Sequence, residues 1–66
     1  MQVQVNGEWR DFPDDSTVAQ LVEVAGIPER GVAVALNGEV VRRGEWTETV
    51  VAKGARIDIL TAVQGG

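Results

Sequence analysis

The chain has 66 residues, 44% of them hydrophobic, with 10 Asp and Glu against 6 Lys and Arg for a formal net charge of −4. That length allows one small domain with a compact core, and the acidic balance argues against nucleic acid, whose phosphates need a basic surface. Cysteine, histidine and tyrosine are absent, which removes the thiol nucleophile, the disulfide staple, the neutral-pH general base and the commonest zinc ligands. Few side chains are left to run chemistry, so the composition argues against a self-contained enzyme or a resident metal.

Gln2-Val3-Gln4-Val5 alternates polar and apolar residues, the pattern of a half-buried strand. Asn6-Gly7 follows and predicts a type I′ hairpin turn, which needs φ > 0 at both central residues. Glu8 to Phe12 then reads as the returning strand, stopped by Pro13. Asp14-Asp15 reads as a helix-dipole and solubility feature. Thr17 and Gln20 have the spacing of a capping box, and Val18, Leu21, Val22 and Ala25 form one apolar stripe of a short helix. Gly26 is placed to end that helix in the left-handed region, with Ile27 supplying the accompanying apolar contact.

Val32 to Leu36 predicts another strand, Asn37-Gly38 a second turn of the same chemistry, and Glu39-Val40-Val41 a short partner. Arg42 to Glu48 is polar apart from Trp46, the mark of an irregular crossing segment with one helical turn. Trp46 is expected to cover the rim of the core, with a partner anchor as the competing role. Trp9 is expected beside the helix or partly exposed, and Arg42-Arg43 on a solvated edge. After the Val50-Val51 patch and the turn at Lys53-Gly54, the last strand runs from Arg56 to about Ala62. Ile57 and Ile59 then share the buried face, and Asp58, Leu60 and Ala62 point the other way.

Strand, strand, helix, strand, short strand, strand is an α+β order in which one helix covers the apolar face of a mixed sheet of four to five strands. The helix crossover lets the last strand lie parallel to the first in the sheet centre. That arrangement is the β-grasp, or ubiquitin-like, fold. Residues 1–63 are expected to form the domain and residues 64–66 a flexible tail, extended and mobile in the free protein.

Gly65-Gly66 ends the sequence. Two residues without a Cβ let the backbone enter a narrow channel and present an uncrowded α-carboxylate to another enzyme. With Gly at about 7% of average usage, chance places two terminal glycines in roughly one chain in 200. No apolar run approaches a membrane span and the start lacks a signal-peptide core, so the expected location is the cytoplasm.

Ala35-Leu36-Asn37-Gly38-Glu39-Val40-Val41, Arg43, Glu45-Trp46, Lys53-Gly54 and Thr61-Ala62-Val63-Gln64-Gly65-Gly66 together resemble the ThiS family of sulfur carriers of thiamin biosynthesis. The resemblance is densest from Val32 to Gly66, and Arg42 departs from it where many relatives carry proline. It implies that an adenylating enzyme of the ubiquitin-activating type (ThiF) joins the Gly66 carboxylate to AMP, consuming ATP. Sulfur from a persulfide donor then displaces AMP to leave a thiocarboxylate, which thiazole synthase (ThiG) uses. The carrier itself binds no cofactor. Gly66 is thus the reacting residue, and Gly65, Gln64, Val63, Ala62 and Leu60 are the expected partner contacts. Two other functions remain open. One is a carrier for molybdopterin synthesis, whose members carry a proline-rich approach absent from Thr61-Ala62-Val63-Gln64; the other is a ubiquitin-like protein modifier.

Overall fold

The computed structural model describes residues 1–28 and 30–61. Its elements run β1 (Gln2–Val5), β2 (Glu8–Asp11), α1 (Val18–Val24), β3 (Val32–Leu36), β4 (Glu39–Val41), a single 3₁₀ turn at Arg43–Glu45, and β5 (Arg56–Thr61). The sheet order is β2-β1-β5-β3-β4. β5 lies parallel to β1 and antiparallel to β3, and the two outer pairs are antiparallel hairpins. The crossover through α1 produces that parallel central pair, since two parallel strands cannot be joined by a tight turn. The expected mixed sheet with one helix is therefore present, with five strands.

Both Asn-Gly pairs adopt the φ signs of a type I′ turn, with Asn6 at 50° and Gly7 at 87°, Asn37 at 49° and Gly38 at 88°. The helix is closed at both ends by its own sequence. Thr17 accepts from the Gln20 amide while the Gln20 side chain accepts from the Thr17 amide, completing the capping box. The two remaining first-turn amides find distant acceptors, Val18 on the Thr49 carbonyl and Ala19 on that of Trp46. At the other end Gly26, at φ 73°, donates to Glu23, and Ile27 donates to Val22. These bonds form a Schellman motif that satisfies the last carbonyls.

The core is a single cluster on one side of the sheet. Val3 and Val5 of β1, Val34 of β3, and Ile57 and Ile59 of β5 meet Val18, Leu21 and Val22 of the helix, with Phe12, Trp46, Val51 and Ala55 closing the rim. Trp46 is 3% exposed and donates its indole N–H to the Val41 carbonyl at 2.9 Å, so it covers the rim as expected. The Arg43 guanidinium sits 5.9 Å from the centre of the Trp46 ring, within cation–π range. The patch at Val50-Val51 splits by parity, with Val51 buried and Val50 exposed.

One expectation is corrected. Asp14 and Asp15 precede the helix but do not serve its dipole, since the first turn of α1 contains no acidic residue. Asp14 lies 3.1 Å from the Met1 α-amine, which also donates to the Phe12 carbonyl at 2.7 Å. Asp15 turns the chain at φ 63°, a left-handed conformation that Asp tolerates. Capping at Thr17, two residues later, leaves both carboxylates outside the helix.

Candidate functional site

The site is built around the end of β5. Ile57 and Ile59 point into the core, so alternation turns Arg56, Asp58 and Leu60 to the sheet face opposite the helix. Leu60 is 67% exposed, as the parity argument requires. Among the expected site residues it is the one that falls within the described part of the chain; Ala62, Val63, Gln64, Gly65 and Gly66, and with them the expected tail, lie outside the described residues.

Register shows what surrounds Leu60. Directly opposite it on β3 is Ala33, and opposite Asp58 is Ala35, which in turn faces Val40 of β4. Val40 is 73% exposed. Residues paired across strands share a face, so Leu60, Ala33, Ala35 and Val40 form a shallow apolar strip on the open side of the sheet. Arg56 Nε lies 3.2 Å from Asp58 Oδ2 at the edge of that strip. Val40 was missed as a candidate because nothing local distinguishes it from its neighbour; only the register between β3, β4 and β5 brings it near Leu60. Trp9 shares the same face through its pairing with Gln4 and is 57% exposed, two strands from the apolar strip.

A second missed residue is Asn6. β1 pairs with β5 only as far as Val5 opposite Ile57. Beyond that point the Asn6 side chain replaces the missing strand: its Oδ1 accepts from the Ile59 amide at 2.7 Å and its Nδ2 donates to the Ile59 carbonyl at 3.3 Å. Asn37 serves the opposite end of β5, where its Oδ1 accepts from the Arg56 amide at 2.9 Å. No metal site accompanies these groups: among the described residues no set of three or more acidic, His or Cys side chains is gathered to hold an ion. No helix among them is long and apolar enough to cross a membrane.

Residues 3–66 match the ThiS family. The chain belongs to that family. It is 29% identical over its whole length to the sulfur carrier protein ThiS of Escherichia coli, which it also spans completely. It is 33% identical to a thiazole synthase of Paramagnetospirillum magneticum, aligning over 100% of this chain but only 20% of that longer protein. In three dimensions it resembles the crystal structure of the thiamine biosynthesis protein ThiS of Geobacter metallireducens, at a TM-score of 0.87 and 29% identity with both chains fully covered. The solution structure of a thiamine biosynthesis protein of the same organism gives a TM-score of 0.80 at 30% identity, covering 100% of this chain and 88% of that one. The ThiS likeness therefore extends over β5 and the two hairpins beside it.

Proposed function

We propose that this chain is a sulfur carrier of thiamin biosynthesis, acting as a protein co-substrate rather than an enzyme. The observation that carries the reading is the family match through Gly66, in a fold whose central strand leads toward that residue. A free carboxylate is a resonance-stabilised anion at neutral pH and a poor target for sulfur. Attack of the Gly66 carboxylate on the α-phosphorus of ATP, within an adenylating enzyme of the ubiquitin-activating type, releases pyrophosphate and gives an acyl-adenylate. The terminal sulfur of a persulfide then adds to the carbonyl and AMP leaves. Cleavage of the S–S bond by a thiol frees the thiocarboxylate, which donates its sulfur to the thiazole. ATP is consumed by the partner, and the carrier holds no cofactor.

Thiazole synthase is the sulfur acceptor in this reading. It is supported by the matching of the whole chain to one fifth of a protein of that name, which puts a module of this kind in the same polypeptide as the acceptor. The apolar strip of Leu60, Ala33, Ala35 and Val40 is the surface on which both partners dock. It adjoins the strand that precedes the reacting terminus, and a partner enclosing that terminus must cover it.

Intact-mass measurement of the protein isolated from its own cells tests the chemistry. A fraction carrying one sulfur in place of a C-terminal oxygen is the expected result. A terminus found only in isopeptide linkage to lysines would instead make the chain a protein modifier. Removal of Gly66 is expected to abolish ATP–pyrophosphate exchange by the adenylating enzyme while the melting curve stays unchanged; retained exchange would exclude Gly66 as the acyl donor.

A further inference from the structure

The geometry points to Asn6 as a positioning residue for the reacting terminus: its side-chain amide acts as one more rung of β1 and aligns the last turn-free stretch of β5 from which the terminus departs. The inference rests on the sulfur-carrier reading for its consequence, but its structural content stands on the hydrogen bonds alone.

Alternate residues of β5 turn their backbone groups to opposite neighbours. Arg56 faces β3, since it exchanges hydrogen bonds with Asn37, whereas Ile57 and Ile59 face β1. The Asn6 backbone N–H donates to the Ile57 carbonyl at 2.9 Å, and its side chain takes both polar groups of Ile59. One residue therefore grips β5 at two successive β1-facing positions, the second of them 53 residues away in sequence. Leu60 and Thr61 come next, paired on their other side with Ala33 and Val32 of β3. Without Asn6 the end of β5 is tied along one edge only, and a strand held on one edge frays. The direction in which Thr61 hands on the chain is then less defined, and a partner must order it on binding.

The same dipeptide in the other hairpin provides the control. Asn37 also sits at a positive φ before glycine and also bonds a β5 amide, but at Arg56, where the strand begins. Glycine keeps the turn conformation at either position while deleting the side chain. Asn6→Gly and Asn37→Gly therefore each remove an asparagine-to-β5 tie, one beside the exit and one remote from it.

Two measurements on the full chain decide the matter. In the free protein, hydrogen exchange at the Leu60 amide, which faces β3, is expected to accelerate in Asn6→Gly and to stay at the parental rate in Asn37→Gly, after both are normalised to their own global stability. With the adenylating enzyme, Asn6→Gly is expected to raise the KM for the carrier about tenfold, the factor for ordering one backbone residue, with kcat unchanged because the bound terminus is held by the enzyme. Asn37→Gly is expected to leave both constants alone. Asn6→Asp keeps the acceptor for the Ile59 amide and loses the donor to its carbonyl, so it should fall between parent and Asn6→Gly, and it serves as the test variant should Asn6→Gly not fold. Parental exchange at Leu60 in the Asn6 variants, or an equal rise in KM for both hairpins, would overturn the assignment. A parent chain that is not adenylated at all would refute the sulfur-carrier reading, while the exchange rates would still decide the role of Asn6.

Discussion

The two faces of β5 differ in what a side chain there can do. Ile57 and Ile59 are buried under α1, whereas Leu60, one residue further on, is mostly exposed on the bare side of the sheet. Six consecutive residues thus hold the core on one side and, on the other, carry part of the apolar strip proposed as the docking surface. The covered face supplies stability through burial of apolar surface, and its substitution costs free energy in the isolated protein. Groups on the open face are tested only when a partner arrives. The difference teaches that apolar residues of the same strand can belong to different functions, separated by a single step of alternation.

The sharpest break in that contrast comes from the covered face. Ile57 is fully buried at the centre of the cluster, so Ile57→Ala should cost about 2–5 kcal/mol in urea unfolding. Affinity for partners per folded molecule should not change. A small loss would show that the helix and sheet collapse readily onto the vacated space.

Trp46 bounds the same face, and its substitution separates packing from hydrogen bonding. Trp46→Phe retains an aromatic ring but leaves the Val41 carbonyl without the indole donor, a loss of about 1–3 kcal/mol. Thermal melting of the variant beside the parent measures it, and equal melting temperatures would mean that water replaces the indole at no cost. The helix cap comes next. Thr17→Ala removes the acceptor of the Gln20 amide and should cost about 1 kcal/mol, read from the same melts. An undiminished midpoint would indicate that the contacts of Val18 and Ala19 with Thr49 and Trp46 hold the helix start unaided.

On the open face the order of effects reverses. Leu60→Glu and Val40→Glu should each change stability by no more than about 0.5 kcal/mol, because both side chains are already largely in water. Each should nevertheless weaken binding to the adenylating enzyme and to thiazole synthase, as measured by titration calorimetry. Substantial unfolding with undiminished affinity per folded molecule would erase the distinction between the two faces. A loss confined to Leu60→Glu would shorten the docking strip to the end of β5.

Much of this architecture was legible in local signals. The alternation in Gln2 to Val5, the two Asn-Gly pairs, the Thr17-to-Gln20 cap and the Gly26 stop each act over a few residues, and each appears where its chemistry puts it. The exposure of Leu60 followed from parity alone. The Asp14-Asp15 assignment failed because a carboxylate near a helix start has several possible partners, and the Met1 amine is brought to it by the β1–β2 hairpin. No local pattern announces that pairing.

By itself the sequence determined the elements, the turn types, the buried faces of β1 and β5 and the diglycine at the end, because the structural features among these depend on backbone preferences and on periods of two and 3.6 residues. Only the tertiary structure decided which strands lie side by side and in what register. It placed Val40 beyond two alanines from Leu60, and it set the Asn6 amide against Ile59 on the far side of the chain. The physical reason is that register between distant strands is chosen by the whole core closing at once. A hydrogen bond spanning 53 residues exists only after that closure, so no stretch of sequence carries it alone.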